Sequence, residues 1–311
     1  MKNSFWNMII IIFCIVFFIE IIINNGMVYS TISTSLNIWT STLIPSLFPL
    51  FIISDILIDY NIISYIPKKI KVFLCKVFNI SDSALVILIL SMISGFPSNA
   101  RNTRTMYDKK MISRDEASYI LMFTHFSNPL FILTTVGLIF LNNNRLGFII
   151  LIAHFFSNII LGILLRNNNI PTSNNYIFND NNKHLGIILT NSIKHAIDTL
   201  LLIFGTLTVF LVISSILINR FDFDVYSSAI LKGILEITIG LRDLSFLKIS
   251  DIYKVVISTM FISFGGFSVH MQVISQLVGT DISYKNFFQG RIYQSIISGI
   301  LAYFLYYIII L

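Results

Sequence analysis

The chain has 311 residues, of which 55% are hydrophobic and only 12% charged, with a formal net charge of +6. Soluble domains carry about a quarter of their residues as charged side chains, so this composition excludes a soluble globular protein and points to one that lives in a bilayer. The positive charge is thinly spread and not interleaved with aromatic residues, which argues against a nucleic-acid partner. Cys14 and Cys75 stand alone in apolar surroundings without CxxC or metal spacing, and so read as packing residues.

The first apolar run, 5–23, is longer than the apolar part of a secretory signal and is followed by Asn24-Asn25-Gly26 instead of a small-residue cleavage site. A retained anchor helix over 1–26 is expected. Residues 31–44 mix Ser and Thr with apolar side chains and suit the membrane interface, after which Pro45 opens a span to Ile58. Lys68, Lys69, Lys71 and Lys76 decorate the apolar stretch 66–80. That pattern fits a helix lying on an anionic leaflet or a loop obeying the positive-inside bias.

Residues 83–93 are apolar but too short to cross a bilayer, which takes about 20 helical residues. They stop at Gly95 and Pro97. A polar, helix-compatible stretch with Arg101, Arg104, Asp108, Lys109 and Lys110 comes next. Ser113-Arg114-Asp115-Glu116 fits a capping box, predicting a helix from there to Asn128-Pro129, with a second short apolar piece over 130–141. Further runs of spanning length cover 146–165, 200–218 and 292–311, and the Asn-rich segment 166–184 reads as an extramembrane loop.

The plan of the first half recurs in the second. LFPLFIISDILI (47–58) aligns with LTVFLVISSILI (207–218), Ser83-Ala84 with Ser228-Ala229, Gly95 with Gly240, and Met122-Phe123 with Met260-Phe261. The expected organisation is an all-α, polytopic membrane helical bundle with broken or re-entrant half-helices and a two-fold internal repeat. Its parts are the anchor (1–26), a first repeat with a linking span (27–165), the polar loop (166–184), and a second repeat with a C-terminal span (185–311). The charges do not decide whether the halves are inverted or parallel.

Three interruptions at membrane depth carry the functional expectation. In hydrocarbon an open backbone group costs several kcal/mol, so non-helical stretches survive only inside protein or beside a watery cavity, and transporters build solute sites from such breaks. The first runs Ser94, Gly95, Phe96, Pro97, Ser98, Asn99, Ala100, Arg101. A helix starting near Pro97 or Ser98 aims free amides at an anion; Arg101, one turn in, either pairs with that anion or anchors at the headgroups. The second is Ser127, Asn128, Pro129, where proline disfavours helix at Asn128, leaving its side chain to face a solute or cap the next helix. The third holds Gly265, Gly266, Ser268, His270 and Gln272, with paired glycines beside several donors.

Glu236, near Thr238, lies in the apolar run 229–240. It is expected either to bind a coupling proton or cation, or hydrogen-bond a solute, or else to pair with Lys232 four residues before it. HExxH, GxSxG, P-loop and paired-carboxylate signatures are missing, so no enzyme activity, catalytic residue, metal ligand or cofactor is expected.

The pieces PSLFPLFIISDIL (45–57), SGFPSNAR (94–101), FSNPLFI (126–132), GILEITIG (233–240), FGGFSVHMQV (264–273) and GTDISYKNFFQGRI (279–292) together resemble the YlbJ-type sporulation integral membrane proteins. These carry the nucleoside-recognition or gate domain also found in nucleoside transporters and ferrous-iron permeases. Asn99 and Arg101 stand where the family pattern usually has a small residue and a lysine, and His125 and Phe126 where small polar residues are common. The resemblance implies a permease of the outer forespore membrane that moves dipicolinic acid toward the developing spore. The partners expected are therefore a small-molecule solute, the lipid bilayer and a coupling proton or cation. A nucleoside or other small-solute carrier, and a non-transporting assembly factor of sporulation, are the alternatives.

Overall fold

The computed structural model describes residues 2–166 and 184–310. It is helical throughout, with six helices long and apolar enough to cross a membrane among the described residues. The loop expected over 166–184 lies, except for its two end residues, outside them.

Helix α1 (Lys2–Ile23) has an apolar window with none of its residues buried, while Phe17 and Ile21 pack against Val28, Val212 and Ile216. Helix α2 (Asn25–Ile38) passes through a π-helical stretch, Trp39–Leu43, into α3 (Ile44–Asp59). The expected interfacial segment and separate span are thus one helix, Asn25–Asp59, of 35 residues. The hydroxyls that suggested an interface are absorbed internally: Thr31, Thr34 and Thr40 donate to the carbonyls of Met27, Ser30 and Leu36. Ser35, fully buried, meets Thr208 at 2.8 Å.

Helix α4 (Lys68–Phe78) gathers its lysines toward one side and exposes Ile70 and Phe73 away from them, the pattern of a helix lying in a lipid interface. Lys71 pairs with Asp82 at 2.7 Å, at the start of α5 (Asp82–Ser94). After a break at 95–97 comes α6 (Ser98–Asp108), then α7 (Arg114–Ile120). Ser113 caps α7, accepting the Glu116 amide at 3.1 Å. Glu116 does not complete the capping box; its carboxylate accepts the Ser81 amide at 2.7 Å, tying the start of α7 to the start of α5.

Helix α7 ends at Ile120, short of the expected break at Asn128-Pro129, because the carbonyls of His125 and Phe126 and the Ser127 amide are bonded to Asn158, Phe96 and His154. A π-helical stretch, Phe131–Phe140, and α8 (Asn144–Leu164) come after it. The second half contains α9 (Leu185–Phe221), α10 (Val225–Leu235), α11 (Ile237–Phe246), α12 (Asp251–Phe264), α13 (Gly266–Leu277) and α14 (Tyr284–Ile310).

Both α5–α6 and α10–α11 fold back on themselves. The α5–α6 pair starts and finishes at one end of the bundle, since Ser81 bonds to Glu116 only a few residues after α6 stops. In α10–α11 the backbones of Gly233 and Gly240 touch, which only a reversal at Glu236 permits. The two pairs enter from opposite ends. His195, near the start of α9, approaches Asp55 at the end of α3, on the α5 side. Helix α10 begins three residues after α9 has run its 37 residues, roughly 55 Å at 1.5 Å per residue. The order long helix, folded-back pair, interrupted crossing, long helix therefore occurs over 25–164, where α4 is inserted after the first long helix, and again over 185–310. The sequence alignment of Gly95 with Gly240 misses the second reversal by four residues, because the turn falls at Glu236.

Candidate functional site

The interruptions meet near the middle of the bundle. The Phe96 amide donates to the Phe126 carbonyl at 2.8 Å, joining the first break to the second. Gly95 has φ +75°, and a Cβ there would stand 2.6 Å from the Asn128 amide nitrogen, so only glycine fits. The second break joins the third through His154 on α8. Its Nε2 accepts the Ser127 amide at 2.8 Å, which makes Nδ1 the protonated nitrogen, 2.9 Å from Ser263 Oγ at the end of α12. The third meets the reversal of α10–α11, where a Cβ on Gly266 would lie 2.9 Å from the Ile237 side chain.

Between these breaks lies a narrow cavity with room for only a few waters. Its walls include Ser127, Asn128, Glu236, Thr238 and Gln272, set among apolar side chains such as Leu47, Phe96, Phe131 and Leu207. Asn128 bonds the Ser46 carbonyl and accepts the Leu130 amide at 2.8 Å, so it caps the following stretch while lining the cavity. Glu236 is the N-cap of α11, taking the Ile239 amide at 2.9 Å and the Thr238 hydroxyl at 3.1 Å. The pair with Lys232 does not form. Glu236 sits in a break, not in a continuous helix, and Lys232 binds Asp243 at 2.6 Å.

The remaining sequence candidates lie around this cavity, not in its wall. Ser94 donates to the Leu90 carbonyl, and Pro97 precedes α6. Ser98, Asn99 and Ser268 are buried with side-chain atoms that have no protein partner among the described residues. Pro129 leads into the π-helical stretch, and Gly265 (φ +91°) and Gly266 (φ +63°) turn α12 into α13. His270 packs among Phe264, Phe287 and Phe288 and is held by the Tyr284 hydroxyl at 2.9 Å and the Phe264 carbonyl at 3.1 Å. Arg101 leaves the cavity. It pairs with Asp55 and contacts Thr199, in an open polar crevice that Asp59, Lys109 and His195 also line. The crevice lies eight residues beyond the cavity along both α3 and α9, about 12 Å.

Sequence reasoning missed Arg291. It is fully buried on α14, with no carboxylate beside it among the described residues. Its guanidinium bonds the carbonyls of Met122 and Ser263 and the side chain of Gln294. Met122 lies just past α7 and Ser263 closes α12, so one cation satisfies the negative ends of two half-helices. Its placement just before the apolar run 292–311 is also that of a headgroup anchor, so no pattern in the sequence separates the two. His154, inside a helix, was equally silent.

No family model and no solved structure matches the chain. The sporulation integral membrane protein YlbJ of Bacillus subtilis (strain 168) is 28% identical over 310 residues, covering 88% of this chain and 76% of that protein. The chain is thus similar to YlbJ over most of its length. A match of that extent is to most of the bundle and not to one motif. With six candidate spans, the chain is an integral membrane protein.

Proposed function

We propose that this protein is a membrane carrier for a small solute, built as two inverted repeats with re-entrant pairs, and that it works in sporulation as its relative's name indicates for YlbJ. The observation that carries this is the convergence of the helix breaks on one cavity whose wall holds a carboxylate, amides and hydroxyls. Broken helices from two oppositely entering halves around a midplane site are how secondary transporters hold their cargo. The narrow cavity fits a closed state. The crevice beyond Arg101 and Asp55 gives the approach from one side.

The family resemblance proposes dipicolinic acid as the solute and the outer forespore membrane as the location. Phe96 and Phe131 supply apolar walls for a flat ring, while Gln272, Asn128, Ser127 and Thr238 supply polar contacts. One observation favours a second solute class. The cavity wall contains an acid and no cation, which suits an uncharged solute such as a nucleoside. The deciding measurement is uptake of labelled dipicolinate and labelled uridine by proteoliposomes containing the purified chain. Protein-dependent flux of either supports the carrier; flux of neither, with the protein correctly inserted, leaves the assembly-factor alternative.

A further inference from the structure

The single carboxyl in the cavity wall poses a problem for any carboxylate-bearing solute, because two carboxylates sharing a low-dielectric site cannot both stay ionised. Glu236 already occupies the position such a solute would take. Its two oxygens accept the Ile239 amide and the Thr238 hydroxyl at the start of α11, where amides and helix dipole favour an anion. Fixed cations do not compete for it. Lys232 and Arg242 are both bound to Asp243, and His270 is held by Tyr284. The faces of α3, α9 and the π-helical stretch that line the cavity are uncharged.

We propose that Glu236 is a tethered stand-in for the solute's own carboxylate, and that a proton taken up by Glu236 releases the start of α11 to the arriving acid. This rests on the carrier reading above. Protonation converts one acceptor oxygen into a donor, so the cap weakens. The solute carboxylate then takes the Ile239 amide, and the new O–H of Glu236 donates to it. When the solute leaves on the other side, Glu236 loses the proton there and caps α11 again. One proton therefore crosses with each solute, and no other charge on the protein changes. The substrate class implied is a small organic acid, with an uncharged analogue carried without a proton.

The test is flux of labelled dipicolinate into proteoliposomes holding the full chain, over about pH 6 to 8, where this probe stays ionised. Linkage to one proton predicts flux at low solute rising up to about tenfold per unit of acidification. Glu236→Gln should flatten that dependence and Glu236→Asp restore part of it. Infrared difference spectra of the unmodified protein supply a second readout that no misfolded variant can spoil: adding dipicolinate should produce a carboxylic-acid C=O band. Wild-type flux indifferent to pH, or ligand binding without that band, would overturn the stand-in role while leaving the carrier intact. Absence of flux for both dipicolinate and uridine would overturn the carrier reading and this inference with it.

Discussion

The α5–α6 and α10–α11 pairs reverse at comparable depth with different chemistry. The first turns through Gly95 and Pro97 and leaves α6 without a side-chain cap; Ser98 and Asn99 beside it are buried and neutral. The second turns at an acid that caps its own helix. A cation serves the first pair farther out, where Arg101 binds Asp55 and reaches across to α9. The lesson is a division of labour: the α10–α11 turn puts a titratable group into the cavity, while α6 puts its charge into a clasp between cavity and crevice.

The contrast predicts graded effects. Largest is the element both halves share. Arg291→Met should strip hydrogen bonds from the Met122 and Ser263 carbonyls, costing about 3 kcal/mol or more, at 1–3 kcal/mol per orphaned buried group. Thermal unfolding in detergent measures it, and an unchanged Tm would show the two helix ends do not depend on the cation. Next is Gly95→Ala, where positive φ and the contact with Asn128 combine to cost on the order of 2–3 kcal/mol. Gly26→Ala, at a position with open space around it, should be near neutral in the same assay.

Smaller and more selective effects separate the two turns. Arg101→Ala should lower flux with little loss of fold, and should raise access of thiol reagents to a cysteine placed at Leu47, because the clasp between α3, α6 and α9 is gone. Equal labelling in both backgrounds would mean the clasp does not gate the cavity. The smallest of the expected losses is Ser113→Ala, which removes the α7 cap and should cost about 1 kcal/mol in detergent unfolding without changing flux.

Much of the architecture is legible in the sequence. Composition and apolar run lengths announce a polytopic bundle. The Gly95–Pro97, Asn128–Pro129 and Gly265–Gly266 interruptions are visible because glycine and proline leave marks in a sequence. The turn at Glu236 leaves none: neither neighbour is Gly or Pro, and its cause is a tertiary reversal sealed by Gly233 against Gly240. Arg101 is readable as a break-associated cation, but not as Asp55's partner, since the two stand 46 residues apart. The hydroxyls of α2 mislead in the other direction. Serine and threonine look alike in sequence whether they face headgroups or return their protons to the preceding turn.

Two wall segments of the cavity, Trp39–Leu43 and Phe131–Phe140, are π-helical, and they contribute Leu43 and Phe131 to its lining. Such turns are wound more loosely than an α-helix and are frequent at functional sites. Tightening either one to ordinary α-helical winding would carry its apolar side chain around the helix axis and change the bore of the chamber, with no hinge and no movement of whole domains. The bore of the chamber is thus tied, at Leu43 and Phe131, to how two short stretches of backbone are wound.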